Sequence, residues 1–131
     1  MGVVHKFKNR QPSFLWDGIK VEEYKSGGAR DAIKQVIIGP EDGSQNFVIR
    51  YFEIAPGGKS SLDKHSHDHG IVVLRGKGRV LLGREVHELS FGDAVYIAPF
   101  EEHQFENMGD EPFGFLCVIR PKEKKNNPES K

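Results

Sequence analysis

Four of the six histidines stand in two short stretches, Lys64-His65-Ser66-His67-Asp68-His69-Gly70 and Glu102-His103-Gln104-Phe105. Neutral imidazole is the commonest protein ligand for divalent first-row metals, so histidines at alternate positions are where chemistry is sought first. On an extended strand His65 and His67 project to one face with backbones about 6.6 Å apart, a span that two rings can bracket around one ion. Alone, a His-x-His pair is weak, because such pairs also occur on exposed surfaces. His5, near the N-terminus, and His87, in the charged run Arg84-Glu85-Val86-His87-Glu88-Leu89, are expected at the surface.

The elements that must position these rings read as strands. Short β-branched and aromatic runs are predicted near 32–38, 46–55, 71–75, 78–83, 85–89, 94–98, 103–107 and 113–120, with a further short strand within Ile19 to Tyr24. Between them lie Gly39-Pro40-Glu41-Asp42-Gly43, Pro56-Gly57-Gly58, Gly76-Lys77-Gly78, Gly83-Arg84, Gly92-Asp93 and Met108-Gly109-Asp110-Glu111-Pro112, all turn chemistry. No helical period persists over ten residues. The prediction is an all-β barrel or jelly roll, whose closure removes exposed strand edges and leaves an interior for a small ligand.

Bulk properties narrow the partners. The 131 residues suit one domain: an N-terminal arm over 1–30, a barrel over 31–120 and a polar tail over 121–131. Lys and Arg number 19, as do Asp and Glu, so the chain lacks the positive excess on which phosphate-backbone binding depends. Nucleic acid is not an expected partner. No uncharged run is long enough for a membrane helix, and a soluble protein is expected. Cys117 is the only cysteine and the N-terminus carries no apolar leader, which together predict a reducing, cytoplasmic setting.

The run Gly92-Asp93-Ala94-Val95-Tyr96-Ile97-Ala98-Pro99-Phe100-Glu101-Glu102-His103-Gln104-Phe105-Glu106-Asn107 resembles the second motif of the cupin superfamily. Upstream, Pro56-Gly57-Gly58, His65-x-His67 and Val73-Leu74-Arg75-Gly76-Lys77-Gly78 resemble the first. The chain from Val36 to Pro121 is similar to small single-domain cupins, especially the manganese-type members with all-histidine sites. That resemblance implies a cupin-type double-stranded β-helix with a divalent metal in its mouth, held by His65, His67 and His103. The first motif normally adds a glutamate. Counting back from Val73, its place falls on His69, and in all-histidine members a histidine stands there. The segment from His67 to Val73 is about two residues shorter than in most of the family. On a straight strand His65 and His69 would stand roughly 13 Å apart, so His69 can bind only if the chain turns near Asp68 and Gly70.

In Val48-Ile49-Arg50-Tyr51-Phe52-Glu53-Ile54 alternation puts Arg50 and Phe52 on one face and Tyr51 on the other, without saying which is the interior. If Arg50 faces in, it is a buried cation needing a partner, which a substrate carboxylate or enolate could supply. Phe115, Cys117 and Ile119 share a face of the last strand, which lines the cavity in similar cupins; Leu62 and Phe105 are placed on the wall with them. Cys117 is expected to serve as a small buried hydrophobe, and Glu101 and Glu102 are candidates for a general base.

Manganese or iron is the expected ion, with zinc, nickel and copper also compatible with imidazole. The leading expectation is a dioxygenase-like oxidoreductase acting on a small oxygen-rich or enolic substrate. A sugar or small-acid isomerase or decarboxylase, or a non-catalytic small-ligand-binding module, is the alternative. Similar cupins pair as homodimers, and residues 1–30 are long enough to cross to a partner.

Overall fold

The computed structural model describes residues 1–121, so the tail expected over 121–131 falls, from 122 on, outside the described residues. Eleven strands follow in order: β1 (Phe7–Asn9), β2 (Leu15–Trp16), β3 (Glu22–Tyr24), β4 (Arg30–Ile38), β5 (Val48–Lys59), β6 (His69–Arg75), β7 (Gly78–Leu82), β8 (Glu85–Leu89), β9 (Ala94–Ile97), β10 (His103–Glu106) and β11 (Phe113–Ile119). Apart from the small β1-β2 pair they form one curled sheet, β8-β7-β10-β5-β11-β6-β9, to which β4 adds on β5 and β3 on β4. Every pairing is antiparallel. Among the described residues no helix is long and apolar enough to cross a membrane.

Register decides what shares the interior, because residues directly opposite on paired strands project to the same face. Lys34 stands opposite Phe52, which stands opposite Phe115. In the next row Val36 pairs with Arg50, Arg50 with Cys117, and Cys117 with Ile71. Phe115 stacks on Phe52 at 5.6 Å and on Phe105 at 4.3 Å between ring centroids. Ile54, Val73, Val80 and Phe113 have no exposed surface. Burying each side chain of this size contributes about 1.5–3 kcal/mol, so this cluster is what closes the shell. The histidines stand at strand ends beyond it: His69 begins β6 and His103 begins β10.

The sequence placed a break at Pro56-Gly57-Gly58, but β5 runs through it to Lys59. Here the strand bends and changes partners, from Ile54 opposite Phe113 of β11 to Lys59 opposite Glu106 of β10. Gly57 adopts φ 82, and a Cβ on Gly58 would lie 2.6 Å from the Arg30 carbonyl oxygen. Glycine and proline at such a corner mark a bulge rather than a strand end.

The opposite face of β4 and β5 is also covered. Tyr51 and Gln35 are fully buried there beneath residues 7–16, with Phe14 stacked on Tyr51 at 5.8 Å and Trp16 set edge-on at 5.2 Å. The N-terminal segment thus packs on the chain's own sheet. His5 belongs to it: its Nε2 lies 2.7 Å from Asp42, and its side chain is 19% exposed, so it is not the free surface residue expected. His87 remains half exposed beside Glu85.

Candidate metal centre

A bridge between Asp63 and His103 brings the two histidine-bearing stretches together, each residue's N–H donating to the other's carbonyl at 3.0 and 2.9 Å. From Asp63 the chain enters a loop, not the strand expected through His65 and His67, and bends at Ser66 and His67 before β6 starts at His69. The turn that His69 requires is therefore made upstream of Asp68 and Gly70. The N–H of Phe100, itself at a left-handed φ of 64, donates to the His65 carbonyl and fixes the loop against the approach to β10.

The four rings converge. His65 and His67 stack 5.0 Å apart and within 8° of parallel; His69 lies 4.8 Å from His67 and 5.3 Å from His65. His103 completes the group at 5.0 Å from His69 and 5.5 Å from His65. One nitrogen from each of His65, His69 and His103 lies within 4.8 Å of the other two. His67 stands beside this trio, next to His65 and His69.

Hydrogen bonds set the tautomers. Nδ1–H of His103 donates to the Glu101 carbonyl at 2.9 Å, which leaves Nε2 with its lone pair. Nδ1 of His69 lies 3.4 Å from the Cys117 sulfur, and its Nε2 is buried with no partner among the described residues. A buried polar atom left unpaired is costly and calls for a partner, and a divalent ion would serve. Burial, then the neighbouring His103, His67 and Arg50, push His69 down to about 3; burial and His65 lower His67 as well. Neutral imidazole is the form that ligates, so the donor set fits a metal ion. Among the described residues no glutamate stands in the ligand group, and Glu101 is occupied as a turn cap, its carboxylate accepting the Ala98 N–H.

A cavity of about 920 Å³ opens beside the rings. Arg50, Phe52, Phe105, Phe115, Cys117 and Ile119 all line it. Leu62 does not: its N–H donates to the Gly27 carbonyl and its side chain is 47% exposed, while Ser60 and Asp63 are the residues of that segment that line the cavity. The Arg50 guanidinium lies over the Phe52 ring at 4.9 Å and donates from Nη2 to the Cys117 sulfur at 3.0 Å, while its Nε is buried with no partner among the described residues. Burial raises the Cys117 thiol pKa despite Arg50, which keeps it a neutral wall residue rather than a thiolate.

Tyr24, Lys34 and Asp63 also line the cavity, and sequence reasoning missed them. A three-residue strand such as Glu22-Glu23-Tyr24 is too short for alternation to assign a face. Only its pairing, Tyr24 opposite Ala32 and Glu22 opposite Lys34, puts it on the inner side.

Comparison with known proteins agrees with this geometry. Residues 50–119 match the model of the cupin domain family. The 1-methylthio-D-xylulose 5-phosphate methylsulfurylase of Rhodospirillum rubrum is 35% identical over 116 residues, covering 86% of this chain and 73% of that protein. The crystal structure of a cupin-2 domain protein from the same organism superposes with TM-score 0.77 at 33% identity, over 91% of this chain and 80% of that one. The polyketide cyclase RemF from Streptomyces resistomycificus gives TM-score 0.73 at 28% identity, over 79% and 74%. A family match over more than half of the chain, and a relative this similar over most of both lengths, show that the protein belongs to the cupin family.

Proposed function

We propose that the protein is a metal-dependent cupin enzyme that polarises the carbonyl of a small, anionic, oxygen-rich substrate of the phosphorylated hydroxyketone class, so that the proton on the neighbouring carbon passes to solvent and is replaced from it. One observation carries this reading: the unpartnered, buried Nε2 of His69 and the unpartnered, buried Nε of Arg50 belong to residues of one cavity wall. His65, His69 and His103 would hold the ion, with His67 beside them as the candidate fourth ligand, and the ion when bound supplies Lewis-acid polarisation of a carbonyl or hydroxyl oxygen. Neutral ligands leave the ion cationic, with the Asp63 carboxylate 3.7 Å from His65 outside the ligand group, and so favour an oxygen that carries or develops negative charge. Arg50 offers an oriented cation to that same oxygen or its neighbour, and the phenylalanine wall lowers the local polarity and strengthens the attraction. The methylsulfurylase relative is named for a ketose phosphate, which supports this substrate class. Imidazole suits iron, zinc, nickel and copper, the resemblance to all-histidine cupins adds manganese, and manganese or iron is the first to try.

The test is solvent exchange. Protein reconstituted with manganese or iron is incubated under nitrogen with D-xylulose 5-phosphate in heavy water, and deuterium entering carbon next to the carbonyl is followed by NMR. Incorporation dependent on metal is expected; its absence with every ion and with ketose phosphates of three to six carbons would overturn the proposal.

A dioxygenase-like oxidoreductase is the second reading, favoured by the aromatic wall of Phe52, Phe105 and Phe115, which suits a flat apolar enol or catechol. Oxygen uptake with such compounds would support it over proton transfer.

A further inference from the structure

Two cavity residues come from the part of the chain that precedes the matched family region at 50–119: Tyr24 of β3 and Lys34 of β4. We propose that they form a substrate-selecting subsite: Lys34 binds a terminal phosphate at the end of the cavity away from the imidazoles, and Tyr24 binds a substrate hydroxyl nearer to them, through the side of the cavity where the Asp63 carboxylate lies 3.7 Å from His65 Nε2. This rests on the reading that the cavity takes an oxygen-rich anion, and it names the residues that read the anion.

The register supplies the distance. From Lys34 the interior row runs through Phe52 and Phe115 to Val73, and His69 lies four residues before Val73 on that strand. Three strand spacings separate Lys34 from β6, about 14 Å along the sheet before its curl shortens the gap across the cavity. Arg50 stands one row nearer the histidines, in contact with Cys117, which touches His69. Four cations line the cavity: Lys64, next to His65, and Arg120, which acts on His67, belong with Arg50 to the imidazole end, and Lys34 stands farther out. An extended molecule carrying one reacting oxygen and one terminal anion matches that order. Lys34 makes no ion pair among the described residues, although Glu22 stands opposite it in register.

Tyr24 is held ready for a hydroxyl. Its ring packs against Phe52 at 5.3 Å, and its hydroxyl contacts Ser61 and donates to the Asp63 carboxylate at 3.2 Å. Ser61 also donates to Asp63. With its proton committed to the carboxylate, the phenol oxygen keeps acceptor capacity for a substrate O–H. The turn Ser26–Gly28 locks this arrangement. Gly27, at φ 62, approaches Ser61 so closely that a Cβ would lie 2.6 Å from the serine Cβ, and its carbonyl accepts the Leu62 N–H.

The experiment measures binding rather than turnover. Metal-loaded protein is titrated calorimetrically with ribitol 5-phosphate and with ribitol. The wild type is expected to prefer the phosphate by about 10- to 100-fold, the range of one charge-assisted contact. Lys34→Gln should abolish that preference with ribitol affinity and metal content unchanged, and Lys34→Arg should restore it. Tyr24→Phe should weaken both ligands alike, several-fold. Equal affinity of the wild type for the two ligands, or a preference that survives in Lys34→Gln, would overturn the subsite. Phosphate preference without solvent proton exchange keeps the subsite and removes the proposed reaction; exchange on ketoses without phosphate preference keeps the reaction and removes the subsite.

Discussion

The Nδ1 of His69 lies 3.4 Å from the sulfur of Cys117, and this contact leaves the buried Nε2 as the atom available to an ion. A ligand held this way is pre-oriented, since the thiol and the start of β6 fix the ring before any metal arrives. His69→Ala should therefore lower metal affinity strongly, by at least 100-fold. Cys117→Ala, which removes only the supporting contact, should cost about 10-fold. Dialysis against a chelator of known affinity, followed by elemental analysis, checks both. An unchanged ion content in His69→Ala would remove that residue from the ligand set.

The same burial makes the metal-free protein acid-sensitive. His69 falls from its ordinary 6.5 to about 3 in the fold, so between these values the unfolded chain binds a proton that the folded chain does not. Stability thus rises with pH across this window: the contribution is fully present above 6.5 and is lost as pH falls toward 3. Urea unfolding of the metal-free protein at pH 7 and pH 5 should show a loss at pH 5 that is smaller in His69→Gln. A wild type losing no more than this variant would contradict the buried, neutral imidazole.

How far the sequence could be read depended on the range of the interactions involved. Strand existence and the approach of His103 to the His65 loop followed from glycine and proline punctuation and from motif resemblance, which are local signals. Alternation correctly separated Arg50 from Tyr51, but it could not say that both faces of β5 would be buried. What covers Tyr51 is Phe14 and Trp16, more than thirty residues away, and no period in the chain encodes that packing. Pro56-Gly57-Gly58 misled for a related reason: the same residues serve a chain break or a bulged corner, and only the partner exchange from β11 to β10 distinguishes them. Leu62 was misplaced because residues 60–63 are not a regular strand over which alternation applies.

Arg50 should be sensitive to shape as well as charge. Its guanidinium stacks on Phe52 and directs Nη2 at Cys117, a planar geometry that lysine does not reproduce. Arg50→Lys is expected to raise KM for an anionic substrate by about 10-fold, and Arg50→Ala by about 100-fold, with metal content unchanged in both. Steady-state kinetics on the metal-loaded variants tests this. Full activity in Arg50→Lys would reduce its role to that of a diffuse positive charge.

Behind the cavity wall, Glu53 accepts from Arg75 at 2.9 Å, from the Tyr51 hydroxyl at 2.7 Å and from the Phe14 N–H at 3.1 Å. The side chains of Glu53 and Arg75 are 5% and 11% exposed. Removing one partner of such a pair strands the other charge, so Arg75→Met should destabilise the protein by about 3–5 kcal/mol. Replacing both, as Glu53→Gln with Arg75→Met, should recover much of that loss, because the amide needs no counter-charge. Equilibrium urea unfolding of the two variants measures the difference. Glu53 and Tyr51 face the N-terminal segment while Arg50 and Phe52 face the cavity, so metal content should survive in both variants. A parallel loss of metal and stability would mean that β5 transmits strain from one face to the other and that the N-terminal segment helps shape the metal centre.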